Sequence, residues 1–149
     1  MSPEAFNPSS LVDVLDEQIR TAQAMLGTLD NESRALIDSN SEALNSAGAD
    51  KARLVEALEL LEQERRGLAA TLRIELSANE GDEASMRWRE LLGLIEKCRE
   101  RNQRNGAMVS ARREQVLEAL KLLRGSELEL YNSNGLKPAS GSLRPLGSA

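Results

Sequence analysis

The apolar residues of this chain recur three and four positions apart, which is the spacing of one face of an α-helix. No proline interrupts residues 9–137, and proline is the residue that a helix interior tolerates least. Polar stretches at residues 38–41 and 77–82 divide this region into three apolar runs. The pattern therefore predicts three long helices, over about residues 9–38, 40–77 and 82–125.

The predicted helix boundaries carry local sequence signals. Residues 39–42 read Ser-Asn-Ser-Glu, so we expect a capping box in which Ser39 caps the second helix and Glu42 bonds back to it. Either Asn79 or Asp82 can cap the third helix, and Gly125 suits the left-handed position that follows a helix end. These signals agree with the boundaries that the apolar spacing predicts.

Two short connections between three long helices favour an up-down-up arrangement. The expected fold class is all-α: an elongated antiparallel three-helix bundle, or coiled coil, over residues 9–125, after a flexible N-terminus at residues 1–8. Half of residues 126–149 are Ser, Gly, Asn or Pro, so we predict a disordered, partner-binding tail there. Because the third helix is the longest, its last turns should leave Leu117, Leu120 and Leu123 poorly covered.

The composition argues against an enzyme. Aromatic residues make up 2% of the chain, which disfavours an all-β fold, and histidine is absent, which removes the usual general base and metal ligand. The single cysteine, Cys98, lies on the apolar face of the third helix, where we interpret it as a buried, unreactive thiol. Carboxylates such as Asp13 and Asp16 are interpreted as a solvated face. We expect no catalytic residue, cofactor or metal.

The charge distribution offers two interpretations. Residues 97–113 carry a net charge of +5 and residues 11–42 carry −5, within a total of −5. The basic segment is either a nucleic-acid stripe or the complement of an acidic helix in the same bundle, and the overall acidity favours the second. We recognise no long uncharged apolar stretch and no export signal, so we expect a cytoplasmic protein that does not insert into membranes.

A polar interruption and two aromatic residues stand out. Asn102, Asn105 and Gly106 occupy apolar-face positions of the third helix, with Gln103 beside them. The interruption is either a register device, because a buried asparagine selects one pairing, or a hinge at Gly106. Trp88 is expected to anchor the core near the second turn. In the predicted tail Tyr131 is the only aromatic residue, so we interpret it as a docking anchor.

Two of these segments resemble a known family. Residues 98–106 read Cys-Arg-Glu-Arg-Asn-Gln-Arg-Asn-Gly, and residues 130–135 read Leu-Tyr-Asn-Ser-Asn-Gly. An Asn-Gln-x-Asn-Gly element within the last long helix, followed by a Leu-Tyr segment, resembles the FlgN family of flagellar type III export chaperones. The resemblance extends from about Leu11 to Arg144. It implies a cytoplasmic chaperone that binds helical terminal segments of the hook–filament junction proteins FlgK and FlgL, prevents their premature polymerisation and delivers them to the export gate protein FlhA.

The resemblance also assigns roles by position. It places client binding on the third helix, at Val109, Val116, Leu117, Leu120 and Leu123. It assigns docking at the export gate to Tyr131, and the family motif to Asn102, Gln103, Asn105 and Gly106. The same apolar faces allow a second hypothesis, a self-associating structural coiled-coil protein without chaperone activity.

Overall fold

A computed structural model describes the backbone of residues 8–77 and 81–133 and the side chains of residues 10–77 and 81–125. It contains the helices α1 (Pro8–Ile37), α2 (Ser41–Leu72) and α3 (Glu83–Ser133). No strand occurs in the described ranges, so the predicted all-α class is confirmed. The chain divides into two units, residues 1–108 and residues 109–149. Most of the predicted flexible N-terminus, and residues 134–149 of the predicted tail, lie outside the described residues.

Within residues 1–108, α1 and α3 run parallel. The thiol of Cys98 donates to the carbonyl oxygen of Ala22 at 3.5 Å. The side-chain amide of Asn105 donates to the backbone carbonyl oxygen of Leu29 at 2.9 Å. In each pair the two residues are 76 positions apart in the sequence. A sequence separation that stays constant along the contact shows that the two helices run parallel.

Helix α2 runs antiparallel to α1. Gln18 donates to Glu62 at 2.9 Å, whereas Glu32, further along α1, meets Lys51, which is earlier in α2. Consecutive helices therefore reverse direction, and the predicted up-down-up topology of the bundle is confirmed.

The core of the bundle is centred on α1. One cluster joins α1 to the start of α3, and a second joins the later part of α1 to Cys98. The members of the first are Leu11, Leu15, Ile19, Ala22, Ala84 and Leu91, and those of the second are Met25, Leu29 and Cys98. Among the described residues of α2, Ala47 alone is fully buried, while Leu54 and Leu58 pack against the second cluster from its edge.

The junction between α1 and α2 differs from the expected capping box. The N-cap of α2 is Asn40, whose Oδ1 accepts from the backbone N–H of Ala43 at 3.0 Å. The backbone N–H of Asn40 is already used, because it donates to the carbonyl of Ala35 at 2.9 Å in the turn that ends α1. Ser39 occupies the left-handed position of that turn, with φ 55°, and so cannot cap α2.

The end of α2 also differs from the prediction, which placed it near residue 77. The helix ends at Leu72, Arg73 adopts a left-handed conformation with φ 56°, and the N–H of Ile74 donates to Ala69 at 2.9 Å. In a continued helix Ile74 would point away from the face that carries Leu72. Outside the helix, Ile74 and Leu76 both pack against the first core cluster.

Helix α3 begins as predicted and ends later than predicted. Asp82 accepts from the backbone N–H of Ser85 at 3.2 Å, which confirms Asp82 as its cap. The helix continues through Gly125 to Ser133, because a glycine within a helix costs only about 1 kcal/mol and good helix formers follow it. The backbone of Tyr131 is therefore helical, although the sequence analysis placed this residue after the last helix; the disorder predicted for the tail stays a prediction.

Candidate functional site

The predicted client-binding side chains lie on one face of α3, within about 120° of its circumference. We name this set the α3 stripe; its members and exposed fractions are Val109 42%, Val116 53%, Leu117 52%, Leu120 52% and Leu123 62%. None of them belongs to either core cluster of the described residues. The sequence predicted poor coverage for Leu117, Leu120 and Leu123, and these three are 52–62% exposed. An exposed apolar face of this kind is typical of a partner-binding surface.

The α3 stripe lies on a basic helix. Residues 109–125 contain four basic and two acidic residues, a net charge of +2. Arg113 and Arg124 lie on the same face as the stripe, because they are separated from Leu117 and Leu120 by four residues each. Leu122 is 69% exposed and lies on the opposite face, so it is not part of the stripe.

The polar interruption of α3 forms a hydrogen-bond network. Asn105 is 2% exposed, and its amide donates to the carbonyl of Leu29 and to Glu32 Oε1, both at 2.9 Å. The ammonium of Lys51 donates to the same carboxylate at 3.4 Å and to Asn102 Oδ1. Residues from all three helices are thus joined at one level of the bundle.

This network has the properties of a register device. A one-residue slip of α3 would separate the Asn105 amide from both acceptors, and an unpaired buried amide is costly. The other two motif residues, Gln103 and Gly106, are exposed. The helix is continuous at Gly106, where an added Cβ would meet no atom within 4 Å apart from the adjacent residues and the local helix backbone. A hinge at Gly106 stays a prediction.

Arg65 and Trp88 connect α2 to α3. The guanidinium of Arg65 lies 4.4 Å from the centroid of the Trp88 ring, and Trp88 packs against the first core cluster, as predicted. Arg65 also donates to Glu62 at 2.5 Å. This bond lowers the pKa of the Glu62 carboxyl to about 2, with burial opposing the shift and bonds from Gln18 and Arg66 adding to it. Glu62 is therefore ionised at neutral pH.

A groove between α2 and α3 was not predicted from the sequence. It has a volume of about 560 Å³ and is lined mainly by apolar side chains. We name it the α2/α3 groove; it includes Gln18, Val55, Leu58, Trp88, Leu92 and Ile95. Val55, Leu92 and Ile95 are 40–43% exposed. The sequence signal was the adjacent apolar pairs at residues 54–55 and 91–92, which make each apolar face wider than one helix contact can cover.

Gln18, on the α1 side of this groove, has an unpaired buried atom. The side chain is 2% exposed, and its Nε2 donates to Glu62 Oε2 at 2.9 Å. Because a carboxylate only accepts hydrogen bonds, the amide nitrogen has to face Glu62. Oε1 is then buried and accepts no hydrogen bond from any described residue. An unsatisfied buried acceptor costs about 1–3 kcal/mol, so a hydrogen-bond donor that reached this atom would be stabilising.

The opposite charges of α1 and α3 pair within the bundle. Arg87 binds Asp16 at 2.8 Å, and Arg101 binds Asp30. Arg101 lies in the basic segment of residues 97–113, so its contact with Asp30 supports the interpretation of that segment as the complement of an acidic helix.

The described residues show no assembled metal site. Cys98 is 8% exposed and burial raises the pKa of its thiol, in agreement with an unreactive side chain. No group of three or more His, Cys, Asp or Glu residues is placed to hold a metal ion in the part of the chain that the structure describes. Within that same part, no helix is both long enough and apolar enough to cross a membrane.

The three helices and their partly exposed apolar faces define the class as an α-helical bundle protein. The sequence model of the FlgN protein family matches residues 1–139, so the chain belongs to the FlgN family. The family consists of flagellar export chaperones, which bind flagellar substrate proteins during flagellum assembly. The comparisons with curated proteins and with solved structures gave no match.

Proposed function

We propose that this chain is a cytoplasmic chaperone that binds the helical terminal segments of FlgK and FlgL through the α3 stripe. It acts by binding alone, without a chemical step. The observation that carries the proposal is the stripe itself: five Val and Leu residues, 42–62% exposed, on one face of a helix in an export chaperone family.

The proposed mechanism is helix-to-helix packing. Terminal segments that assemble as coiled coils present an amphipathic helix, and the stripe offers that helix an apolar face of matching period. While the client helix lies on the stripe, its own apolar face is covered, so it cannot pair with other junction proteins. Binding therefore delays polymerisation without altering either chain covalently.

Delivery to the export gate is assigned to Tyr131. This tyrosine follows the stripe within α3, eight residues after Leu123, so one helix carries both the proposed client surface and the proposed gate contact. A tyrosine suits this role because it contributes a large contact area and one hydroxyl. The partner at the gate is the cytoplasmic domain of FlhA.

Calorimetric titration tests the client assignment. The full chain is titrated with FlgK and with FlgL from the same host, and then with each client lacking its terminal helices. We expect saturable binding of the intact clients and none of the truncated ones. Failure to bind either intact client, or equal binding of the truncated forms, would contradict the proposal.

A further inference from the structure

Two exposed surfaces of this chain are complementary to each other. We propose that the α2/α3 groove of one molecule binds the α3 stripe of a second copy, so that the chain associates with itself through two different surfaces. The inference goes beyond the chaperone assignment, since its evidence and its test involve no client.

The first match is apolar. The groove lies between two helices, and Val55, Leu92 and Ile95 leave 40–43% of their surface uncovered around it. The stripe presents valine and leucine side chains along one helix face. An amphipathic helix placed in a hydrophobic groove is a recurring mode of recognition, with anchors three, four and seven residues apart. Val116, Leu120 and Leu123 have this spacing.

The second match is between acceptors and donors. Oε1 of Gln18 is buried without a partner, and Glu59, which also lines the groove, forms no ion pair with any described residue. Gln18 Oε1 lacks a donor among the described residues, whereas Glu59 is exposed and offers a carboxylate to a docked cation. Arg113 and Arg124, on the face of the stripe, have side chains that only donate hydrogen bonds. The docking of an arginine-bearing helix would place a cation beside Glu59 and bring hydrogen-bond donors to the side of the groove where Gln18 lies.

The third match is the overall charge, which favours a second copy as the occupant. Residues 109–125 carry a net charge of +2, so the remainder of the chain carries −7. The stripe segment of one molecule is therefore attracted to the acidic body of another, and opposite charge favours encounter and orientation.

Sedimentation velocity on the full chain over a range of concentrations tests the proposal. We expect the mass to rise from 16.3 kDa as concentration increases. A groove variant, Val55→Lys with Ile95→Lys, and a stripe variant, Leu120→Glu with Leu123→Glu, should each weaken association by more than about tenfold. The control, Leu60→Lys with Leu122→Lys, changes residues that are 61% and 69% exposed outside both surfaces and should associate like wild type.

Mixing the two variants identifies the pairing. The groove variant keeps an intact stripe and the stripe variant keeps an intact groove, so the mixture should associate although neither variant does so alone. A wild-type chain that stays at 16.3 kDa would overturn the proposal. A groove variant that associates like wild type would also overturn it, because the stripe would then pair with another stripe.

A charge reversal tests the polar match separately. Glu59→Lys places a cation in the groove and should weaken association by about fivefold at low salt, with a smaller effect at high salt. Glu56→Lys, on an exposed α2 residue outside the groove lining, is the matched control. Equal effects of the two reversals would contradict the contribution of Glu59. The groove variant keeps the α3 stripe, so we expect it to bind clients like wild type. Loss of self-association with client binding retained therefore separates this proposal from the chaperone assignment.

Discussion

The double substitution Leu120→Glu with Leu123→Glu should abolish client binding and leave the fold almost unchanged. In the free chain these side chains are 52% and 62% exposed and belong to neither described core cluster. Substitutions at such surface positions usually change the free energy of unfolding by less than about 0.5 kcal/mol each. We therefore expect the melting temperature to fall by no more than about 4 °C.

The expected loss of client affinity is much larger. Full burial of a leucine side chain stabilises by about 1.5–3 kcal/mol, and more than half of each side chain remains to be buried on docking. The two leucines therefore contribute roughly 2 kcal/mol together, which is about thirtyfold in Kd. Placing two carboxylates in an apolar contact adds a desolvation penalty, so we expect a total loss of more than about a hundredfold.

Calorimetric titration with FlgK, together with thermal unfolding followed by circular dichroism, measures both quantities. The matched control is Leu60→Glu with Leu122→Glu, which makes the same chemical change at residues outside the stripe and should bind FlgK within about threefold of wild type. Wild-type affinity in the stripe variant would place the client site elsewhere. A fall of more than about 10 °C in melting temperature would show that the two leucines contribute to a core.

Three further predictions concern single residues. Tyr131→Ala should weaken binding of the client-loaded chain to the cytoplasmic domain of FlhA by more than about tenfold, while client affinity stays within about threefold of wild type. Titrations with each partner measure both affinities, and an equal loss for the client and for FlhA would contradict the prediction. Gly106→Ala should raise the free energy of unfolding by about 0.5–1 kcal/mol in urea, because the site is helical and open; a loss of client affinity would instead indicate a hinge. The pKa of Glu62 is lowered from 4.5 to about 2, so its stabilising contribution is complete above pH 4.5 and is lost as the pH falls towards 2. Urea unfolding at several pH values should show a shallower loss over this range for Glu62→Gln, and an identical loss would contradict the assignment.

Local periodicity explains why the helices were predictable from the sequence. The i, i+3, i+4 spacing is a property of each segment by itself, and two short connections leave few arrangements for three long helices. The exposure of Leu117, Leu120 and Leu123 followed from the greater length of the third helix. These features needed no knowledge of which side chains meet across the bundle.

The helix ends and the groove could not be predicted in the same way. They depend on contacts between groups that the spacing of apolar residues along one helix does not relate. Ser39 and Asn40 are both good N-cap residues. Asn40 is the N-cap because the turn that ends α1 holds Ser39 in the left-handed conformation. Gly125 could end a helix or be included in one. The pairing of Gln18 with Glu62 joins residues 44 positions apart, and no spacing rule connects a polar residue of one helix to a particular carboxylate of another.

The uneven burial of the three helices has a consequence for how the bundle opens. Helix α1 holds most of the buried residues, whereas of the described residues of α2 only Ala47 is fully buried. Detaching α2 should therefore require much less free energy than unfolding α1, and its amide protons should exchange first. Because α2 forms one wall of the α2/α3 groove, its detachment would remove the proposed self-association site while the contact of Cys98 with Ala22 persists. Mild warming should accordingly separate associated molecules before the contact between α1 and α3 melts.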